Sequence, residues 1–172
     1  MLTALAERGD AFVATGLQRL RPGPNGCLYV TGCGDGFFAA VACQAFAESL
    51  GLDWRPISAL DMVLSARRLT PADRVIAISM SGNVDRTVEA ASAVQAAGVP
   101  LVALVNSADG GRLGALAVAR MSLEIDDIAP FLCGTASYSA TLLALMALAA
   151  GAAGGRESPR IDHVPGALRA AL

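Results

Sequence analysis

The sequence predicts an α/β domain in which a parallel sheet carries helices on both faces. Short apolar segments alternate with helical segments along most of the 172 residues, which is the pattern of strands joined by crossover helices. Segments 74–79 and 101–105 are nearly continuous apolar runs, as in strands buried on both faces. The length fits one domain. We predict a single domain over residues 1–153, and a linker with a C-terminal helical segment over residues 154–172.

Each element has a local signal. The first strand follows a break rich in Pro and Gly at residues 21–26, and Gly51 and Gly98 each end a helix at little conformational cost. The predicted strands are residues 27–31, 54–57, 74–79, 101–105 and 121–125. The predicted helices are residues 2–20, 37–50, 58–69, 84–97, a short helix that ends at 117, residues 134–151 and a segment within 161–172.

Composition excludes several classes of function. Hydrophobic residues make up 54% and charged residues 16% of the chain, so surplus apolar surface indicates a homodimer or higher oligomer. The net charge of −2 and the lack of a basic cluster argue against nucleic acid. The longest apolar stretch, residues 140–150, falls short of the ~18 residues that span a membrane. Four Cys without a C-x-x-C pair and one His predict reduced thiols, a cytoplasmic location and no metal or cofactor.

A cluster of small polar residues follows the third predicted strand and opens the next helix. Ser79 and Ser81 flank the bend, and Gly82 lets the backbone approach a ligand closely. Asn83 follows at the helix start, and Thr87 adds a hydroxyl about one turn later. A helix start offers unpaired N–H groups and a partial positive charge, which bind phosphate without Lys or Arg. Helix capping explains Ser81 alone but not the cluster, so we predict that these five residues bind phosphate.

This cluster resembles the Ser-x-Ser-Gly motif of sugar isomerase (SIS) domains, which occur in glucosamine-6-phosphate synthase, phosphoheptose isomerase and arabinose-5-phosphate isomerase. The resemblance extends over residues 27–150. It includes residues 32–35 after the first strand, 109–113 after the fourth, and 134–138 at the start of the last long helix. It implies a three-layer, flavodoxin-like fold with a five-stranded parallel sheet, a dimer, and a phosphorylated sugar as the ligand.

The resemblance also implies which residues contact the sugar. Gly34, Asp35, Thr135 and Ser137 match positions that line the sugar end of the SIS pocket. The motif departs from many SIS domains, which read Ser-Gly-Glu-Thr where residues 81–84 are Ser-Gly-Asn-Val. The predicted phosphate-binding turn therefore has one hydroxyl fewer than in those domains. Its Asn83 makes the motif more similar to that of phosphoheptose isomerases. The Asp35 carboxylate would accept hydrogen bonds from hydroxyl or amino groups of the sugar. Capping of the following helix explains this residue equally well.

The catalytic base is less well defined by the sequence. Aldose–ketose isomerisation needs a base that moves a proton between neighbouring carbons. Asp61 lies where many relatives carry Glu, and His163 is the only His, in a segment able to reach a partner subunit's pocket. A surface position explains His163 as well, and a solvent-facing helix position explains Glu89. The remaining candidates follow the last predicted strand: Glu124, Asp126 and Asp127.

Three other functions remain open. The first is a non-catalytic module that binds a sugar phosphate or acts with a partner chain, which the lack of an obvious base favours. The second is a dinucleotide-binding domain, but the third Gly of G-x-G-x-x-G is replaced by Phe37. The third is a nucleophilic Cys33, which the distant single His supports weakly.

Overall fold

The computed structural model describes residues 8–125 and 134–155 of the chain. The helices are α1 (Gly9–Arg19), α2 (Asp35–Ser49), α3 (Ala59–Ser65), α4 (Asp85–Ala96), α5 (Gly111–Leu116) and α6 (Thr135–Ala152), with a 3-10 turn at Ala66–Arg68 after α3. The strands are β1 (Leu28–Gly32), β2 (Trp54–Ser58), β3 (Arg74–Ile78), β4 (Leu101–Val105) and β5 (Ala119–Ser122). The predicted helical segments within residues 2–7 and 161–172 lie outside the described residues.

The five strands form one parallel sheet in the order β2-β1-β3-β4-β5. This order confirms the predicted flavodoxin-like fold. The chain builds the sheet outward from β1 in one direction to β2 and then in the other direction from β3 onward. The strand order thus reverses between β1 and β3, which is where parallel α/β sheets bind their ligands.

Helices cover both faces of the sheet because β3 and β4 bury apolar side chains on each face. Ile76 and Ile78 point into a core shared with α1, α2 and α6. Val75 and Ala77 point the other way, into a core shared with α3, α4 and α5. The alternation of neighbouring side chains between the two faces is the ordinary geometry of a strand. The two cores hold the three layers together on either side of the site described below.

Among the elements that lie wholly within the described residues, the last strand and the third helix differ most from the sequence prediction. The last strand is Ala119–Ser122 instead of 121–125, because Leu123 and Ile125 are buried in the core beyond the paired part of the strand. The predicted helix 58–69 divides into α3 and the 3-10 turn. An apolar segment at the end of an edge strand resembles the strand itself in sequence, which accounts for the first error.

Helix α6 is long and apolar enough, by length and composition, to cross a membrane. It is the one such helix among residues 8–125 and 134–155. Of its residues, 56% are buried inside the domain, and it packs against α1 and α2. Gly151 lies directly against the Val13 carbonyl of α1, which brings the two helices close together. This degree of burial is typical of the core helix of an α/β domain.

Asp73 fixes the ends of β1 and β3 that lie opposite the site. Its carboxylate accepts hydrogen bonds from the Cys27 amide (2.8 Å), the Thr70 amide (2.7 Å) and the Thr70 hydroxyl (2.9 Å). Burial raises the pKa of Asp73, but these hydrogen bonds outweigh it and hold the pKa below its ordinary value. The folded state is therefore stabilised by ionised Asp73 above the pKa of the unfolded chain, and this stabilisation is lost as the pH falls through the folded-state pKa.

We expect Asp73→Asn to lower the free energy of unfolding at pH 7 by about 1.5–3 kcal/mol, because an amide cannot accept all three hydrogen bonds. Denaturant titrations at several pH values measure the effect. The difference from the wild type should shrink as the pH falls below about 4, the pKa of Asp in the unfolded chain, and through the lower folded-state pKa of Asp73. Glu48→Gln is the control, since Glu48 is exposed and contacts Gln44 alone among the described side chains. A difference that is constant from pH 7 to pH 3 would contradict the assignment.

Candidate functional site

A cleft of about 270 Å³ opens at the carboxyl ends of β1 and β3. Gly32 and Ile78 are register partners at those ends, so the turns that follow the two strands lie side by side. The cleft is at the point where the strand order reverses, as expected for this class of sheet. Its lining residues are Cys33, Asp35, Gly36, Ile78, Ser79, Met80, Ser81, Val84, Thr87 and Ser137.

The turn after β3 contributes a buried hydroxyl to the cleft. Ser79 is 4% exposed, and its Oγ has no hydrogen-bond partner within residues 8–125 and 134–155. A buried hydroxyl without a partner costs about 1–3 kcal/mol. Ser81, on the other side of the bend, is exposed and accepts a hydrogen bond from the Asn83 amide (3.1 Å). Ser79 therefore lines the cleft and holds a buried hydroxyl without a partner among the described residues.

Helix α4 begins at the same turn without a side-chain cap. Its N-cap residue is Val84, which provides no polar group, and no described side chain accepts a hydrogen bond in its place. The first N–H groups of a helix have no partner within the helix and carry a partial positive charge. Thr87 lies in the first turn and is fully buried. The start of α4 thus presents amide donors beside the Ser79 and Thr87 hydroxyls.

Gly82 and Asn83 support the turn from its outer side. Gly82 has φ +68°, and a Cβ there would overlap the carbonyl of Gly110. The Asn83 side chain donates to the Ser81 carbonyl (3.0 Å) and accepts from the Arg112 amide (3.1 Å). Neither residue lines the cleft. The structure gives both of them a role in joining the turn to the start of α5.

The turn after β1 and the start of α6 form the other walls. Gly34 is the N-cap of α2 and has φ +51°, a conformation that a residue with a side chain seldom adopts. Asp35 and Ser137 lie in the first turns of α2 and α6 and line the cleft. The Ser137 hydroxyl donates to the Gly134 carbonyl (2.8 Å). Three helices therefore begin at the cleft, and none has a side-chain cap from the described residues.

The electrostatic balance of the cleft combines helix starts with one carboxylate. Asp35 is the only charged residue among those that line it in the described part of the chain. The nearby Arg112 is engaged on the outside of the turn, where it bonds to the Asn83 carbonyl and pairs with Asp85. An anion in this cleft would consequently be held by backbone N–H groups and hydroxyls, as the sequence predicts.

The structure brings together part of the predicted site. Ser79, Ser81, Thr87, Asp35 and Ser137 line one cleft, whereas Gly34 and Thr135 lie next to lining residues without lining it themselves. The cleft has further lining residues that were not predicted from the sequence as ligand contacts: Cys33, Gly36, Ile78, Met80 and Val84. The turns after β1 and β3 lie side by side at one edge of the sheet. Assigning both turns to that edge from the sequence would have predicted Cys33 beside the Ser79 turn.

The predicted catalytic residues lie elsewhere or outside the described residues. Asp61 accepts a hydrogen bond from the Ser58 hydroxyl (2.7 Å), while its amide donates to the same oxygen (3.1 Å). This arrangement caps α3, and Asp61 does not line the cleft. Glu89 is exposed and pairs with Arg86, and Glu124 pairs with Arg8 away from the cleft. His163, Asp126 and Asp127 lie outside the described residues, as does the predicted segment 154–172 beyond residue 155.

The fold and the cleft define a flavodoxin-like α/β domain with a cleft at its switch point. The family model of the SIS domain matches residues 25–151, well over half of the chain. The protein therefore belongs to the SIS domain family. A comparison of the sequence with curated proteins finds no match.

Solved structures of distant relatives share the fold. Glucosamine-6-phosphate deaminase from Thermotoga maritima is 19% identical with a TM-score of 0.70, and the match covers 96% of this chain and 51% of that one. Vibrio vulnificus NanR complexed with ManNAc-6P is 18% identical with a TM-score of 0.67, covering 98% and 63%. The sugar isomerase domain of an RpiR transcription factor from Sphaerobacter thermophilus is 20% identical with a TM-score of 0.65, covering 98% and 92%. The chain thus spans about half to three fifths of the first two relatives.

Proposed function

We propose that the protein binds a phosphorylated sugar in the cleft, with the phosphate at the start of α4. The observation that carries this proposal is the buried Ser79 hydroxyl, which lacks a partner among the described residues and lies in the turn before the uncapped start of α4. A phosphate oxygen supplies an acceptor to such a hydroxyl and to the amides at once. Thr87 and Ser81 add hydroxyls on the two sides of the same position. The absence of a basic side chain from the described lining is compatible with phosphate because the helix supplies the positive potential.

The sugar would extend from the phosphate toward Asp35 and Ser137. The Asp35 carboxylate is exposed, so it is available to accept hydrogen bonds from sugar hydroxyl or amino groups. Ser137, on the opposite helix start, holds its hydroxyl at the cleft wall. NanR, in complex with ManNAc-6P, supports a sugar phosphate as the ligand class.

Isomerisation of the bound sugar phosphate is the catalytic form of this proposal. It requires a base within hydrogen-bond reach of the reacting carbons. Asp35 is the carboxylate that the described cleft offers, while Asp61 and His163 stay the candidates predicted from the sequence. Relatives of this fold include a deaminase and a transcription-factor domain. A non-catalytic binding module is therefore the second candidate function.

Thermal unfolding with a panel of ligands tests the binding proposal. N-acetylmannosamine 6-phosphate, glucosamine 6-phosphate and arabinose 5-phosphate would be compared with the free sugars, inorganic phosphate and NAD. A ligand present at 100 times its Kd stabilises the folded state by about 2.7 kcal/mol, which corresponds to a Tm increase of about 5–10 °C for a chain of this size. We expect such an increase with at least one sugar phosphate and none with the free sugars.

Two variants make this test specific. Ser81→Ala removes a cleft hydroxyl and should reduce the Tm increase. Ser92→Ala is the matched control, because Ser92 lies on the exposed side of α4, where its hydroxyl donates to the Val88 carbonyl. No Tm increase with any sugar phosphate would refute the proposal for the isolated chain, and an increase with NAD alone would favour a dinucleotide site. Conversion of the stabilising sugar phosphate between aldose and ketose forms, followed by NMR, then separates an isomerase from a binding module.

We also propose that two copies of the chain associate. The side chains at positions 38, 41, 42 and 45 form an exposed apolar stripe on α2, and Phe38 is 59% exposed. The chain spans half of the deaminase, and a second copy would supply a domain of the same fold. Light scattering of the purified protein should give twice the mass of one chain, and Phe38→Glu should shift it toward one. A monomeric wild type would refute the association.

A further inference from the structure

We propose that Cys33 is the most reactive of the three thiols in the described part of the chain and that its modification by a hydroperoxide or another small electrophile closes the cleft to phosphorylated ligands. The inference rests on the proposed function, because it concerns the same cleft. Cys33 is exposed and lines the cleft wall directly after β1. It precedes Gly34, the N-cap of α2.

The position of the sulfur links it to the ligand site. The Thr87 hydroxyl donates to Cys33 Sγ at 3.6 Å, so the thiol contacts a group in the first turn of α4. Ser79 independently indicates that the cleft takes a ligand, since this residue lines the same cleft and its buried hydroxyl lacks a partner among the described residues. An oxygen or alkyl group added to the sulfur would enter the space between Thr87 and that ligand. It would also compete for the Thr87 hydroxyl.

The other described thiols provide an internal comparison. Cys27 and Cys43 are buried. Burial and a hydrogen bond with Asp53 raise the pKa of Cys27 to about 11, and burial raises the pKa of Cys43 to about 12. Because the thiolate is the nucleophile, both are poor targets for electrophiles at neutral pH. Cys33 has access to solvent that these two lack.

The reaction with a hydroperoxide is a two-electron step. The thiolate sulfur of Cys33 attacks one peroxide oxygen, the O–O bond breaks, and the other oxygen leaves as an alcohol or as water after it takes a proton. The sulfur is oxidised to a sulfenic acid and the peroxide is reduced. An added thiol such as dithiothreitol converts the sulfenic acid back to the thiol through a mixed disulfide.

The first arm of the test measures reactivity. The folded full-length chain would be treated with limiting iodoacetamide, and the labelled fraction of each Cys would be quantified by peptide mass spectrometry. We expect Cys33 to be labelled at least about tenfold faster than Cys27 and Cys43. The sugar phosphate that raises the Tm should slow the labelling of Cys33 and leave the other two rates unchanged. Equal rates for the three thiols would overturn the inference, whatever the protein binds.

The second arm measures the effect on binding. Treatment of the wild type with one equivalent of hydrogen peroxide should raise the Kd for that sugar phosphate at least about tenfold, a loss that dithiothreitol reverses. Cys33→Ser, whatever its own affinity, should lose no further affinity on peroxide treatment, which controls for oxidation at other positions. A peroxide-treated wild type that binds as tightly as the reduced protein would overturn the gating alone. A reduced wild type that binds no sugar phosphate would refute the proposed function and the gating with it.

Discussion

Gly82→Ala should destabilise the folded protein far more than the addition of one methyl group suggests. A side chain at φ +68° costs about 1–2 kcal/mol. The added Cβ would also overlap the Gly110 carbonyl, and relief of such overlap costs typically about 1–3 kcal/mol more. We therefore expect the free energy of unfolding, measured by denaturant titration, to fall by about 3 kcal/mol or more.

Gly98→Ala separates the two causes of this loss. Gly98 has φ +72°, and a Cβ there meets no atom within 4 Å. It should therefore cost about 1–2 kcal/mol, the conformational term alone. Gly82→Ala should in addition abolish the Tm increase with sugar phosphates, because the displaced turn carries Ser79 and Ser81. Equal losses of stability in the two variants would show that the contact with Gly110 is unimportant.

The fold was predictable because its signals are local and repeated. Strands β3 and β4 are apolar almost without interruption, and the turns before and after them contain Gly or Pro. The edge strand β5 was misplaced because Leu123 and Ile125 have the composition of a strand yet contact the core beyond the ladder. Such a contact is tertiary, so propensity alone does not reveal it.

Residues that line the cleft were predictable where a residue type, at its position in the chain, has one common role. Ser79 directly follows a buried strand and Thr87 lies in the first turn of the next helix, and both line the cleft. Gly82 was expected to admit a ligand, but its missing Cβ makes room for Gly110 instead, a contact between loops distant in sequence. The resemblance to relatives with Glu at this position predicts Asp61 as a base. Its hydrogen bond with Ser58 explains why an acidic residue suits the position without any ligand.

The sequence does not predict that three separate chain segments meet at the cleft. Cys33, Thr87 and Ser137 come from separate helix starts, and which of them face one another depends on the register of β1 with β3. A shift of this register by one residue would move every side chain to the other face of the strand. The sequence restricts the register through the burial of Ile76 and Ile78, but the resulting distances between side chains require the folded chain.

Ser79→Ala should have opposite effects on stability and on binding. The buried Ser79 hydroxyl has no partner in the part of the chain that the structure describes, so its removal should leave the free energy of unfolding unchanged or raise it by about 1 kcal/mol. The same change removes a donor to the phosphate, and a hydrogen bond to a charged group contributes about 1.5–3 kcal/mol. We expect the Kd of the stabilising sugar phosphate, measured by calorimetry, to rise about tenfold to 100-fold.

Thr31→Val is the matched control for the effects of Ser79→Ala on stability and binding. The Thr31 hydroxyl is also buried without a partner among the described residues, but Thr31 does not line the cleft. Its replacement by the isosteric Val should maintain or raise stability and leave the Kd unchanged. If Ser79→Ala destabilised the free protein and left the Kd unchanged, Ser79 would be a structural residue of the turn. A loss of affinity in Ser79→Ala alone would mean that the unsatisfied hydroxyl is retained because the ligand completes its hydrogen bonding, at a cost to the stability of the free protein.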